Sequence, residues 1–149
     1  MQKLNINFFK GDYEKFSNFY PVIIRYEDIE FPSVEHAYVA AKSLDKMFRY
    51  RISQIPADQA GRAKREGRKI KLRKNWHLLR YPFMRIFLIQ KFALPEFGDL
   101  LLSTRNAYIE EGNYWHDNYW GNCYCDKCKD IEGKNNLGKL IMEVREIIT

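Results

Sequence analysis

The stretch FPSVEHAYVAAK, from Phe31 to Lys42, predicts an amphipathic helix that carries both core residues and candidate chemistry. Ser33, which follows a proline, can cap the N-terminus of this helix. Four apolar residues then recur at helical spacing and predict one buried stripe: Val34, Ala37, Tyr38 and Ala41. Because Glu35, Val39 and Lys42 share a neighbouring face, the helix brings a carboxylate and an ammonium group to the same side.

Glu35 has two interpretations. In the first turn of a helix the macrodipole stabilises a carboxylate by about 0.3–1 kcal/mol, which is sufficient reason for its presence. The dipole also keeps the carboxylate ionised, as a general base or a stabiliser of developing positive charge requires. The neighbouring His36 can partner the Ser33 cap or titrate, and for a single histidine the structural interpretation is favoured.

The rest of the chain combines predicted strands with predicted helices. Strands are predicted at 6–9, 22–31 and 107–110, and the second can turn as a hairpin at Glu27-Asp28. Helices are predicted at 56–66, 76–93 and 95–102. A last helix is predicted towards the C-terminus, with Asn135 or Asn136 as its N-cap. Pro82 must either kink or divide the second of these helices. The segment 111–135 has no clear periodicity, but its aromatic residues indicate that it is ordered.

The length of 149 residues fits one continuous domain, 1–149, with a single core. Aromatic residues make up 15% of the chain, which is more than a small core requires, so some are expected to line a pocket. There is no signal-peptide pattern, and no apolar run approaches the ~20 residues that span a bilayer. We therefore expect a cytoplasmic protein without a membrane partner.

The net charge of +6 is concentrated in one segment. Eight basic residues stand against a single acid, Glu66: Arg62, Lys64, Arg65, Arg68, Lys69, Lys71, Arg73 and Lys74. Such a field predicts an anionic ligand, of which phosphate is the commonest, although a solvated helix face is an equal alternative. Nucleic acid is a third possibility, but the usual nucleic-acid-binding signatures are absent from the sequence.

The three cysteines form the segment Cys123-Tyr-Cys125-Asp-Lys-Cys128. Its CxxC step is used in zinc knuckles, but a zinc site needs a fourth ligand, for which His116 is the nearest candidate. Free thiols in a reducing compartment are the favoured alternative, and a structural disulfide is the least favoured.

Short polar residues beside aromatic ones form two further candidate binding positions. Ser17 and Asn18 lie between two phenylalanines, and Asn136 lies at the start of the last helix. Together with Trp76, Trp115 and Trp120, these positions favour a nucleotide-like planar ligand, although each alone is explained by a turn or a cap. The sequence has neither GxGxxG nor GxxxxGK[ST], which excludes the common dinucleotide and triphosphate loops.

Six short motifs occur in an order that resembles the NADAR family, also called YbiA-like. They are FSNFYP (16–21), FPSVEHAYVAAK (31–42), AK-x-x-GR (63–68), LRKNW (72–76), NYWGN (118–122) and GKNNLGKLIMEVR (133–145). Each motif is short, but together they extend over most of the chain. The resemblance implies a compact, mostly helical α+β domain with a small β-sheet.

The resemblance also implies an activity. Family members act as N-glycosidases and are associated with reactive phosphorylated intermediates of riboflavin biosynthesis and with ADP-ribose joined to a guanine base. The expected substrate is thus a phosphorylated N-riboside, either small or carried as ADP-ribose on nucleic acid, and no cofactor is expected. A phosphorylated riboside agrees with the basic segment and the aromatic surplus.

The family's motifs also suggest individual roles. Its S/T-x-E motif falls on Ser33-Val34-Glu35, which makes Glu35 the leading catalytic carboxylate. Its tryptophan after LRKN falls on Trp76, a candidate stacking wall. Lys64 and Arg68 are candidate phosphate ligands, with Asn136 at a helix N-terminus.

The family's acidic, WG-containing loop falls on Asp117, Trp120 and Gly121. This chain has Asn122 where some relatives carry an aspartate, and an amide cannot act as a base. Either Asp117 supplies a second carboxylate or Glu35 works alone. The segment from Cys123 to Cys128 is a further departure from the shortest relatives.

Cleavage of an N-glycosidic bond passes through an oxocarbenium-like ribosyl cation, which a carboxylate can stabilise. The leaving base then needs a proton or a strong hydrogen bond, for which Lys42, Lys10 and Asp117 are candidates. The alternative function is a non-catalytic ADP-ribose or nucleotide-binding module with the same pocket. A weaker alternative is a nucleic-acid-binding protein that uses the basic segment electrostatically.

Overall fold

The computed structural model describes residues 4–149, which form a mostly helical α+β structure with three pairs of very short strands. The α-helices are α1 (Val34–Ala41), α2 (Lys46–Ser53), α3 (Ala60–Gly67), α4 (Trp76–Phe92), α5 (Pro95–Ser103) and α6 (Asn136–Ile148). The strands are β1 (Asn5–Ile6), β2 (Ile24–Tyr26), β3 (Ile29–Phe31), β4 (Tyr108–Ile109), β5 (Gly112–Asn113) and β6 (Asn122–Cys123). None of the helices within residues 4–149 combines the length and apolar composition needed to cross a bilayer.

Contacts within the chain divide it into two compact units. The central unit is Asn18–Lys91, and the terminal unit combines the described residues up to Ser17 with Phe92–Thr149. The expectation of one continuous domain over 1–149 stays a prediction.

In the central unit, β2 and β3 form the predicted hairpin. They pair antiparallel, with Ile24 opposite Phe31 and Tyr26 opposite Ile29. Glu27 and Asp28 have φ of 51° and 63°, and two left-handed residues in succession make the tight turn whose twist matches that of the strands. The hairpin therefore leads directly into the N-terminus of α1.

Helix α1 begins as the sequence predicts, because the Ser33 hydroxyl accepts a hydrogen bond from the backbone N–H of His36. All eight of its residues are buried, however, and not only the predicted apolar stripe. The helix packs against both α2 and α3, so several of its faces are covered. Glu35 is consequently far less accessible than a surface carboxylate.

The other helices of the central unit differ in detail from their predictions. Helix α2 was not predicted, although Asp45 caps it by accepting a 2.9 Å hydrogen bond from the N–H of Met47. Helix α3 begins at Ala60, after a separate 3₁₀ turn at Ala57–Gln59, rather than at Pro56. Helix α4 is one element that contains Pro82, so the proline does not divide it.

In the terminal unit, β1 pairs with β4 and β5 pairs with β6, both in parallel. Helix α6 begins after Asn135, one of the two residues predicted to cap it, but Asn135 has a φ of 50° and its side chain makes no capping hydrogen bond. Its amide donates to the carbonyl of Ile109 at 2.9 Å and accepts from the N–H of Glu111 at 2.9 Å. Asn135 thus joins the start of α6 to the strand region instead of to its own helix.

Candidate active site

Glu35 is the second residue of α1, with 8% of its surface exposed. Its backbone N–H donates a 3.1 Å hydrogen bond to the carbonyl of Asn18. This bond fixes the loop that carries Asn18 to the first turn of α1. The helix N-terminus favours the ionised form of the Glu35 carboxylate.

His36, the next residue, is fully buried and is bound on both ring nitrogens. Nε2 lies 3.1 Å from the carbonyl of Ile55 and must donate to it, so Nδ1 accepts from the Ser33 hydroxyl at 2.6 Å. Burial lowers the pKa of His36, although the carbonyls of Ile55 and Pro56 oppose the shift. These contacts support the structural interpretation of His36.

Lys42 follows the last residue of α1, two helical turns from Glu35 and on the same face. Burial lowers the pKa of the Lys42 ammonium below its ordinary value. The negative charge of Glu35 opposes this shift, whereas the positive charges of Lys64 and Arg68 add to it. The central unit therefore brings together four predicted site residues: Glu35, Lys42, Lys64 and Arg68.

Gly67 explains how α3 comes close enough to α1 for these charges to interact. A Cβ atom at this glycine would lie 3.0 Å from Val39 Cγ1 and 3.5 Å from Lys42 Nζ. Lys64 and Arg68, on either side of Gly67, are consequently held near Lys42. This packing role was not evident in the sequence, since a glycine near a helix end is usually interpreted as a stop signal.

Aromatic rings surround the same group of charges. Lys42 Nζ lies 5.3 Å from the centre of the Tyr38 ring, and Lys64 Nζ lies 5.9 Å from that of Phe19. Trp76 is 6% exposed and packs against Tyr38 and Phe83, with centroid distances of 5.3 and 6.0 Å. Its role as a stacking wall stays a prediction, whereas Phe19, which is 41% exposed, has a more accessible ring.

Asn18 carries an unusual polar atom. Its Nδ2 donates to Met84 Sδ at 3.5 Å, and within the described part of the chain its buried Oδ1 accepts no hydrogen bond. A buried acceptor without a donor costs about 1–3 kcal/mol, which a ligand hydroxyl or N–H could recover. Asn18 thus has spare hydrogen-bonding capacity in the loop that is tied to Glu35.

The remaining residues of the basic segment are mostly exposed. Lys69 forms a 3.0 Å ion pair with Glu66, a contact typical of a solvated helix face. Lys64 and Arg68 are the basic residues of this segment whose charges act on Lys42. The contact of Lys69 with Glu66 thus agrees with a solvated helix face, and binding of phosphate by Lys64 and Arg68 stays a prediction.

The other predicted site residues belong to the terminal unit. Ser17 donates its N–H to the carbonyl of Glu14 at 3.0 Å. Asp117 Oδ1 accepts from the N–H groups of Tyr119 and Trp120 at 3.1 and 2.8 Å. This carboxylate therefore shapes the turn that presents Trp120, a structural role the sequence did not suggest.

Close packing explains the glycine at position 121, and a side-chain hydrogen bond explains Asn122. A side chain at Gly121 would collide with the carbonyl of Glu111 and lie 2.8 Å from Asn113 Nδ2. The side-chain oxygen of Asn122 accepts from the N–H of Gly133 at 2.9 Å. Both residues thus hold the loop around the WG dipeptide.

The N-terminus of α6 does not offer its first N–H groups to a phosphate. Four successive N–H groups, those of residues 134–137, donate to the carbonyls of residues 118–121, with Asn136 bonded to Tyr119 at 3.2 Å and Leu137 to Trp120 at 2.9 Å. The backbone N–H of Asn136 is thus occupied by the carbonyl of Tyr119, and binding of phosphate at this helix N-terminus stays a prediction. A contribution from the Asn136 side chain stays a prediction.

Comparison with known proteins identifies the family. A model of the NADAR domain matches residues 7–149. N-glycosidase YbiA of Escherichia coli strain K12 is 36% identical over 98% of this chain and 89% of its own length. An N-glycosidase of Nostoc punctiforme is 33% identical over 97% of this chain and 93% of its own.

The fold agrees with this relationship. The NMR structure of E. coli YbiA superposes with a TM-score of 0.83 at 37% identity, covering 99% of this chain and 86% of that one. A riboflavin biosynthesis protein of Vibrio vulnificus is 32% identical over 87% of this chain, which matches 34% of that protein. The chain belongs to the NADAR family.

Proposed function

We propose that this NADAR-family N-glycosidase hydrolyses the N-glycosidic bond of a phosphorylated N-riboside, with Glu35 as the catalytic carboxylate. The observation that carries the proposal is that Lys42 lies within electrostatic reach of one carboxylate, Glu35, and of two further cations, Lys64 and Arg68. A carboxylate and cations in one place match a substrate that develops positive charge at the ribose and carries negative charge on phosphate.

Glu35 would act where the ribosyl cation forms. As the bond between C1′ and the base nitrogen breaks, the electron pair leaves with the base and positive charge develops at C1′ and the ring oxygen. An ionised carboxylate stabilises that charge and can take a proton from the water that adds to C1′. The N-terminal position of Glu35 in α1 and the nearby Lys42 both favour its ionised state.

Lys42 is the candidate that supplies the proton to the leaving base. Its lowered pKa makes the ammonium group a better acid than an ordinary lysine near neutral pH. Lys64 in α3 and Arg68, which directly follows that helix, then bind phosphate, because two neighbouring cations suit a dianion. Asn18 would use its unpaired Oδ1 to accept a hydrogen bond from a ribose hydroxyl or a base N–H.

The assignments in the terminal unit rest on the family resemblance. Asp117 is proposed as the second carboxylate, with its Oδ1 already committed to the Trp120 turn. Trp120, Gly121, Asn122 and the side chain of Asn136 are proposed substrate contacts, as is Ser17. Trp76 is proposed to support the aromatic wall through Tyr38, on which it packs.

Relatives of this chain include proteins named for riboflavin biosynthesis, from Vibrio vulnificus and Zea mays. We therefore place phosphorylated ribosides of that pathway first among the substrates. ADP-ribose on guanine is the second candidate, since it has the same riboside bond and additional phosphate.

A substrate panel tests the proposal. The protein is incubated with both substrate types, and mass spectrometry measures the released base and ribose phosphate. Glu35→Gln should lower the rate at least 10³-fold while circular dichroism and the melting temperature stay close to wild type. Glu66→Gln, the same change at an exposed carboxylate of the central unit, should retain full activity.

Two outcomes would contradict the proposal. Full activity in Glu35→Gln would remove Glu35 from the chemistry. Tight binding of the substrates without any released base, by a folded wild-type protein, would instead support the non-catalytic binding module.

A further inference from the structure

The three cysteines of the chain converge on one histidine in the terminal unit. Cys123 ends β6, Cys125 and Cys128 flank the first residues of a short 3₁₀ turn, and His116 lies in the preceding loop. Their three sulfur atoms and a ring nitrogen all lie within 4.8 Å of one another. His116 Nδ1 is 3.3 Å from Cys125 Sγ and 3.4 Å from Cys128 Sγ. We propose that these four side chains bind one zinc ion.

The distances from the His116 ring nitrogen to two of the sulfur atoms fit a tetrahedral ion. Zinc binds sulfur at about 2.3 Å and imidazole nitrogen at about 2.0–2.1 Å, so the ligand atoms of a regular tetrahedron lie about 3.5–3.8 Å apart. The measured nitrogen to sulfur distances of 3.3 and 3.4 Å are within a few tenths of an ångström of that geometry. Since all four donor atoms lie within 4.8 Å of one another, side-chain movements of up to about 1 Å bring them to the separations of a tetrahedral site.

Backbone groups in the cluster suit thiolate sulfur, the form that binds zinc. Cys123 Sγ accepts hydrogen bonds from the N–H of His116 at 3.3 Å and from the N–H of Cys125 at 3.5 Å. Such donors stabilise negative charge on sulfur. His116 has a φ of 69°, an uncommon value for a residue with a side chain, and both its N–H and its ring contact cysteine sulfurs. The metal would compensate for this backbone strain.

A disulfide would engage fewer of the four donor groups than a metal ion. All three cysteines are free thiols in the structure. One disulfide would leave the third sulfur and the histidine without their shared partner. Three cysteines and one histidine form a closed ligand set of the kind found in structural zinc sites, without an open position for substrate.

The position of the ligands indicates what the zinc ion would stabilise. His116 precedes the WG turn and Cys123 follows it, so the ion would close a short loop around Asp117, Trp120 and Gly121. Regular structure in this region is limited to the two-residue strands β5 and β6 and one 3₁₀ turn. The zinc ion would hold the turn in place without taking part in the chemistry.

Metal content of the intact protein tests the inference independently of activity. Protein purified without chelator should contain one zinc per chain by inductively coupled plasma mass spectrometry. Replacement by cobalt(II) should give the intense visible bands of tetrahedral coordination and the sulfur to cobalt charge-transfer band. Because the chain has only three cysteines, the thiol count with Ellman's reagent should be zero with metal and three after chelation.

Two ligand variants and a matched control complete the experiment. Cys125→Ser and His116→Ala should bind zinc at least tenfold more weakly in competition with a chromophoric chelator. His77→Ala, at an exposed histidine in α4, should keep wild-type affinity. If a ligand variant fails to fold, the wild-type thiol count and cobalt spectrum still decide the matter. Three immediately reactive thiols and no bound zinc after incubation with one equivalent of zinc would overturn the proposal.

Discussion

Replacement of Gly67 by alanine tests the close approach of α1 and α3, on which the group of charges around Lys42 depends. The new Cβ atom would lie 3.0 and 3.3 Å from the two methyl groups of Val39, where ordinary carbon contacts are about 3.5–4.0 Å. Val39 is fully buried and its branched side chain is stiff, so relief of about 0.5 Å must come from the helices themselves.

The size of the effect follows from two opposing contributions. Overpacking in a filled core costs about 1–3 kcal/mol, and the gain in helix propensity from glycine to alanine is at most about 1 kcal/mol. Gly67→Ala should therefore lower the free energy of unfolding by about 1–2 kcal/mol. For a chain of this size the melting temperature should fall by about 2–8 °C.

Gly61 in the same helix provides a matched control. Its Cβ would meet Arg65 Nη1 at 3.6 Å and Phe19 Cε2 at 3.8 Å, which are ordinary contacts. Gly61→Ala should thus leave stability unchanged or raise it by up to about 1 kcal/mol. Urea denaturation and thermal melting measure both variants. Equal stabilities, or a more stable Gly67→Ala, would refute the inferred close approach of the helices.

Three further predictions concern single groups in the central unit. Arg68→Ala should raise KM about three- to tenfold with little change in kcat, whereas Arg65→Ala, at an exposed arginine within α3, should leave both constants unchanged. An unaffected KM in Arg68→Ala would indicate that Arg68 belongs to a solvated face. Asn18→Leu should keep or raise the melting temperature, since it removes an unpaired buried acceptor, and it should also raise KM. A lower melting temperature would contradict the unpaired state of Asn18 Oδ1. Burial lowers the pKa of Lys91 from 10.5 to about 7. Between pH 7 and pH 10.5 the unfolded chain therefore binds more protons than the folded chain. The free energy of unfolding should consequently rise with pH in this range, by up to about 1.4 kcal/mol per pH unit. Denaturation at several pH values should show that Lys91→Met lacks this rise in stability with pH. An identical pH dependence in the variant would contradict the lowered pKa of Lys91.

Local signals in the sequence were sufficient for several elements. The Ser33 cap and the turn at Glu27 and Asp28 are confirmed, because both depend on neighbouring residues alone. The complete burial of α1 depends on packing against two other helices, which the spacing of apolar residues within α1 cannot reveal. Helix α2 had a readable signal in its Asp45 cap and in Phe48 and Ile52, one turn apart, both of which are buried.

The candidate site was predicted less completely than the fold. Family motifs indicated Glu35, and helical spacing put Lys42 on its face, so the interaction of these two groups agrees with the sequence. The unpaired oxygen of Asn18 could not be predicted, since it depends on which distant groups fail to reach it. Asn135 or Asn136 was expected to cap α6, but the Asn135 side chain bonds to Ile109 and Glu111, more than twenty residues away.

The four hydrogen bonds that join residues 134–137 to residues 118–121 also influence where the chain can vary in length. These bonds hold the two segments side by side, and the hydrogen bond from the Gly133 N–H to the Asn122 side chain closes the base of residues 123–132. Residues 123–132 therefore leave and re-enter the fold at nearly one point. Within this segment, residues 129–132 lie between the last cysteine and the closing bond, and they can be exchanged or extended without altering the backbone that presents Trp120, whereas the three cysteines cannot.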